Sequence, residues 1–183
     1  MITGNLFDFY KKPTTTFSLE PHWQLIDTVA NNSFKSYSDG SGQKQAKNTI
    51  TGCIVGAMGE LAAYLVLSEL FNTVVAADFL HYATSCKKNK TSFSDIMIFD
   101  GDRPIRLEIK TCQSHHPQNC VTPYHLKKYI KDSTDAIVFI SVNIKNKTAT
   151  INGIVEPTEA QKNGKRIVTI CDNIDCTEII IPM

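Results

Sequence analysis

Residues 93–111 run FSDIMIFDGDRPIRLEIKT. β-Branched and apolar side chains crowd both halves, and the DGDRP between them carries an Asp-Gly step suited to a tight turn. The stretch therefore predicts a β-hairpin. In its second half Ile105, Leu107 and Ile109 alternate with Arg106, Glu108 and Lys110. Residues two apart on a strand share a face, so Glu108 and Lys110 point together, away from the apolar side. Asp95 lies near the start of the neighbouring strand and can converge with that pair. Ile109 turns its side chain into the core, and its backbone carbonyl remains to supply a further oxygen.

Working outward, residues 51–71 (TGCIVGAMGELAAYLVLSELF) are dense in good helix formers and predict a helix buried on most sides. Residues 74–77 suggest a short strand, followed by a polar insert around CKKNKTS. After the hairpin, residues 124–131 predict a helix, with Thr122 as N-cap and Pro123 at its first position. Residues 136–143 (AIVFISVN) are almost continuously apolar, as a central strand covered on both faces must be. Upstream, residues 1–21 read as an irregular arm and 22–34 as a short helix. The stretch NNSFKSYSDGSGQKQAKN reads as a solvated loop able to serve as a substrate-facing flap. Residues 148–155, 166–170 and 177–181 add strands toward a sheet edge. The whole predicts an α/β sandwich around a mixed sheet, one domain of 183 residues with its core at about 51–143, an N-terminal arm and helix over 1–50, and a β-rich tail over 144–183.

Composition narrows the class. With 42% hydrophobic and 20% charged residues the chain has the balance of a globular protein, which excludes fibrous and disordered types. No uninterrupted apolar run reaches the ~20 residues of a membrane span and no signal-peptide core opens the chain, so a cytoplasmic setting without a membrane partner is expected. The six cysteines are then expected to be thiols. A net charge of +1 carries no overall basic signature, so any nucleic-acid partner must be held by a local patch or through metal ions.

Phosphodiester hydrolysis needs two or three carboxylates converging on a hard cation, with a protein cation beside the attacking water. Asp95, Glu108 and Lys110 supply that set. Ser94-Asp95 followed after a short turn by Leu107-Glu108-Ile109-Lys110 resembles the PD-(D/E)XK motif of restriction-endonuclease-like nucleases, with serine in place of the motif's proline. Gly59-Glu60 resembles the helix glutamate that many of these enzymes place ahead of the motif. The resemblance covers about residues 56–141 and implies a core order of α-β-β-β-α-β. It implies that Asp95 and Glu108 ligate Mg²⁺, for which Mn²⁺ can substitute, with Glu60 as an additional ligand and Lys110 activating or positioning the water. The expected function is a DNA endonuclease of restriction or structure-specific type, a class in which homodimers are common.

Around this centre, Gln113 sits where the strand leaves the site, and Tyr124 and Lys127 open the following helix. Lys87, Lys88 and Lys90 form one basic cluster; Lys127, Lys128 and Lys131 form another. These are candidate phosphate contacts, or else cations solvating a face. Asp78 is a spare ligand candidate, whereas Asp100 and Asp102 read as turn residues. Cys112, His115, His116 and Cys120 have zinc-ligand chemistry without a standard zinc spacing, so they read either as a zinc site or as a loop with two surface histidines and ordinary thiols. Two other functions compete with the nuclease: a noncatalytic DNA- or partner-binding module retaining the nuclease fold, and a zinc-binding structural protein.

Overall fold

The computed structural model describes residues 16–38, 49–87, 89, 94–114, 119–171 and 174–180. The hairpin read from the sequence is its centre. β3 (Ile96–Asp100) turns through Gly101 and Asp102 into β4 (Arg103–Gln113), with Gly101 at a φ of 61° that glycine adopts without strain. β3 pairs antiparallel with β4 only from Ile96↔Leu107 to Asp100↔Arg103, so the second half of the eleven-residue β4 runs past the start of β3. On its other side β4 pairs in parallel with β6 (Ala136–Asn143), and the crossover between them passes through β5 (Cys120–Val121) and a helix, α4 (Pro123–Lys131).

The remaining strands complete a mixed sheet of order β1-β7-β6-β4-β3-β2, where β1 is Thr16–Ser18, β2 is Val74–Val75 and β7 is Thr148–Val155. Three helices cover one face: α1 (Trp23–Ser38), α2 (Ile50–Ser68) and α3 (Ala77–Thr84). Ile105, Leu107 and Ile109 of β4 join Val138, Ile140 and Val142 of β6 beneath them in one core. On the opposite face α4 and α5 (Pro157–Asn163) pack Leu126, Tyr129 and Ala160 onto Ile137, Phe139 and Val155 in a second core. Seven of the eight β6 residues are buried, as a strand covered on both faces requires.

α2 is capped by Thr49, whose hydroxyl accepts the Gly52 N–H at 3.1 Å. By length and composition this helix could cross a bilayer, contrary to the expectation that no segment would. In the fold Ala57, Met58, Leu61, Ala62, Ala63 and Leu67 place it in the core. Its contact with β4 is unusually close at one point. A Cβ added to Gly59 would overlap the Thr111 side chain, so glycine sets how near the helix comes to the strand. The next residue is Glu60, whose charge is felt with those of Asp95 and Glu108.

Several segments differ from the reading of the sequence. Residues 74–77 are not one strand: β2 ends at Val75, and Ala77–Thr84 is helical. No side chain caps that helix, so it had no start signal. The arm through Pro21 is not irregular throughout, since Thr16–Ser18 pairs with β7 and a 3₁₀ turn covers Glu20–His22. α1 extends to Ser38 and takes in the first part of the expected loop; the flap proposed for the rest of it lies outside the described residues. Of the tail, only β7 joins the main sheet. β8 (Lys165–Cys171) and β9 (Ile174–Ile180) form a separate antiparallel sheet with β5 rather than extending the edge.

Gly59→Ala should lower unfolding stability by about 1–3 kcal/mol, the range for overpacking a tight interior contact, with part restored by adding Thr111→Ala. Urea denaturation of both variants checks this; a Gly59→Ala protein as stable as wild type would show that α2 and β4 can separate freely.

Candidate active site

Where β4 outruns β3, the backbone edge of Glu108 to Gln113 on that side has no neighbouring strand among the described residues. Asp95, in the bend just before β3, fills part of the gap: its Oδ2 accepts the Ile109 N–H at 2.8 Å. A carboxylate receiving a backbone N–H is a strong, oriented bond, and it fixes Asp95 against the strand. N–H and C=O of one strand residue point to the same edge, so the Ile109 carbonyl also faces the Asp95 side.

Glu108 and Lys110 emerge from the α4 face of β4, flanking the buried Ile109. Their side chains are 14% and 29% exposed, and Lys110 Nζ lies 3.9 Å from Glu108 Oε2. α4 closes over them. Tyr129, 3% exposed, has its hydroxyl near enough to the Glu108 carboxylate to favour the ionised acid, and its ring lies under the Lys110 ammonium at 5.1 Å. Beside it stands His125, whose Nδ1 is 2.7 Å from Thr122 Oγ1 and whose ring stacks on Tyr129 with centroids 6.0 Å apart.

The acids in this region strain against ionisation. Burial pushes Glu108 up to about 7, reinforced by the Asp95 charge and opposed by Lys110 and the Tyr129 hydroxyl. Burial likewise raises Asp95, although Lys110 and the Ile109 N–H pull it back. Glu60 is raised further, first by burial and then by Asp95 and Asp78, with Lys110 again opposing. Glu60 feels Asp95 and Glu108, Glu108 feels Asp95, and all three feel Lys110, so α2, the bend before β3, and β4 bring these four side chains into one electrostatic neighbourhood. Lys128 adds a second cation felt by both Asp95 and Glu108. His125 is lowered by burial, then by Lys110 and Lys128, which favours a neutral imidazole. Tyr129 is held protonated by burial and the Glu108 charge.

Other residues singled out in the sequence fall differently. Asp78 is in the first turn of α3, and its Oδ1 accepts from Asn89 Nδ2 at 2.7 Å while its charge reaches Glu60 and Asp95. Gln113 ends β4, and alternation turns it to the α2 face, opposite Glu108 and Lys110. Tyr124, Lys127, Lys128 and Lys131 are exposed along α4. Lys87 is exposed just after α3, where its carbonyl accepts from His81 Nε2 at 2.6 Å; Lys88 and Lys90 lie outside the described residues. So do His115 and His116, while Cys112 Sγ sits 3.5 Å from Ser141 Oγ. Cys53, Cys86, Cys112 and Cys120 carry no disulfide.

Tyr129 and His125 were not picked out in the sequence. Tyr129 sits with Leu126 on the apolar stripe of α4 and reads there as core; only the crossover geometry carries its hydroxyl to Glu108. A signal existed in His125, one helical turn before it on the same stripe.

Among the described residues no three Asp, Glu, His or Cys side chains form a ready-made metal cage. The donors nearest one another in effect, Asp95, Glu108 and Glu60 with the Ile109 carbonyl, are all hard oxygens. That chemistry fits Mg²⁺ or Mn²⁺, and a bound dication would relieve the repulsion that holds these acids above their ordinary range.

The chain matches no protein-family model and no curated protein. Its own electrostatics make a prediction about stability. A carboxyl raised from the ordinary 4.5 to about 7 binds a proton more tightly in the folded chain, so the stability that proton provides is present below 4.5 and lost as pH rises through about 7. Glu60 and Asp95 act in the same direction. In EDTA, wild type should therefore lose stability between about pH 5 and about pH 8, and Glu108→Gln should flatten that decline and melt higher at the alkaline end. Thermal melts across the range decide it; a wild type that gains stability over the interval would refute the assignment.

Proposed function

We propose that the chain is a divalent-metal-dependent nuclease that hydrolyses phosphodiester bonds in DNA, acting in the cytoplasm. The observation that carries this reading is that Asp95 and Glu108 flank Ile109 of β4 beside Lys110, and that burial raises both of them and Glu60 while the same ammonium opposes the shift of all three. The fold belonging to this reading is a restriction-endonuclease-like sandwich. Its core order corresponds to α2, β2, β3, β4, α4 and β6, with α3 and β5 as additions.

Asp95 and Glu108 would hold Mg²⁺ or Mn²⁺, with the Ile109 carbonyl and Glu60 as further oxygen donors. Such an ion supplies charge neutralisation at the phosphate and a water of lowered pKa. The chain's own contribution is placement. Asp95 is oriented by the Ile109 N–H, and Glu108 stands beside the Lys110 ammonium at 3.9 Å. Lys110, held over the Tyr129 ring, orients the attacking water and stabilises charge developing on the phosphate oxygens. Lys127 and Lys128 on the exposed side of α4 approach the backbone of the substrate.

Cleavage should require Mg²⁺ or Mn²⁺, should be poorly supported by Ca²⁺ and should cease in excess EDTA. Lys110→Ala and Lys110→Met should each cut single-turnover cleavage by ~10²–10³ while DNA affinity in Ca²⁺ persists, because one preorganised charge is lost from the reaction and little from packing. Both folded variants cleaving near the wild-type rate would remove Lys110 from the chemistry and with it the nuclease reading.

A further inference from the structure

Tyr124 is the most exposed of the large apolar or aromatic side chains among the described residues, at 74%. A tyrosine ring standing in water forgoes the burial that ordinarily stabilises it, so its surroundings bear on what it meets. It is not loosely held. Its ring meets His125 edge-on, centroids 5.4 Å apart and planes at 73°; His125 stacks on Tyr129 at 6.0 Å and 20°; and Tyr129 lies beneath the Lys110 ammonium at 5.1 Å. Three rings thus lead from solvent to the cation of the proposed centre. His125 is itself steadied by Thr122 Oγ1 at 2.7 Å.

Along α4, Lys127, Lys128 and Lys131 follow Tyr124 at three, four and seven positions, the spacing of one helix face, and all four are exposed. One aromatic face followed by a row of ammonium groups matches the chemistry of a nucleic-acid strand whose base has left its pair. The ring offers a stacking surface, and the lysines offer charge for the backbone. A base inside a duplex already stacks on both sides and presents only its edges and its phosphate. Along a continuous duplex a protruding ring finds no open base face, whereas an unpaired strand offers one at each base.

We infer that Tyr124 is a stacking platform for an unpaired base, and that the DNA strand reaching Lys110 is single-stranded where it passes α4. The inference rests on the nuclease reading for the identity of the centre, and it names the substrate class: single-stranded or single-strand-tailed DNA in preference to continuous duplex.

The test uses fluorescence anisotropy in Ca²⁺ with three labelled probes, an unpaired oligonucleotide, a duplex bearing a single-stranded tail, and a blunt duplex. Wild type, Tyr124→Phe and Tyr124→Ala are compared, each checked by circular dichroism. Tyr124→Ala should weaken the unpaired and tailed probes by about 5- to 150-fold, the range of one lost base-aromatic stack. Blunt duplex should change by no more than about twofold, and Tyr124→Phe, which keeps the ring, should bind the tailed probe within about twofold of wild type. If Tyr124→Phe loses as much as Tyr124→Ala, the hydroxyl and not the ring face makes the contact, and the inference is overturned. It is equally overturned if Tyr124→Ala binds tailed DNA as wild type does, or weakens all three probes alike. Wild-type cleavage of the same probes in Mg²⁺ separates the two readings. Ring-dependent binding without cleavage upholds the platform and rejects the nuclease; cleavage of every probe with no effect of Tyr124→Ala does the reverse.

Discussion

A single hydrogen bond, from the Ile109 N–H to Asp95 Oδ2, stands where the main sheet changes from paired to open. β3 begins one residue after Asp95, and β4 runs on without it. A strand edge left uncovered in a protein interior must find partners for its polar groups. Here a carboxylate is one of them, which brings an acid to the centre of the molecule. α2 comes close to β4 at Gly59, the residue before Glu60, while the crossover to β6 carries α4 and Tyr129 over the opposite face. The acidic centre is thus a consequence of where β3 starts.

That arrangement is costly. Acids taken out of water and set beside one another resist ionisation, and the two apolar cores on either side of the sheet must offset the penalty. β6 supplies much of that support, since its apolar side chains serve both cores at once. Lys110 lies at the balance point: it opposes the upward shift of Glu60, Asp95 and Glu108 alike. Sites that hold charge against such a cost are where binding of an ion or reaction of a substrate has most to gain.

Much of this was legible in the residues because the decisive signals are local. Alternation around Glu108 and Lys110 foretold their shared face; Thr122 and Pro123 foretold the start of α4; the apolar run of 136–143 foretold a strand buried on both faces. The elements that escaped the reading depend on distant partners or lack start signals. β1 exists because β7 pairs with it, α3 begins at Ala77 with no capping side chain at Ala76, and β8 and β9 leave the main sheet to meet β5. Within the centre, Asp95, Glu108, Lys110 and Glu60 were visible as residue types at telling positions. Tyr129 was not, because an aromatic on the apolar stripe of a helix looks like core until the crossover sets its ring beneath Lys110.

The divalent-ion site proposed at these acids is tested without a substrate by Mn²⁺ binding followed by electron paramagnetic resonance. Titrated with Mn²⁺ at neutral pH, the wild-type chain should remove the ion from its free signal. Asp95→Asn and Glu108→Gln, each still folded, should each weaken that uptake at least ~tenfold, since even groups that only orient a metal ligand are worth that much. Wild-type affinity in both variants would place the ion elsewhere and leave the cluster without the role assigned to it.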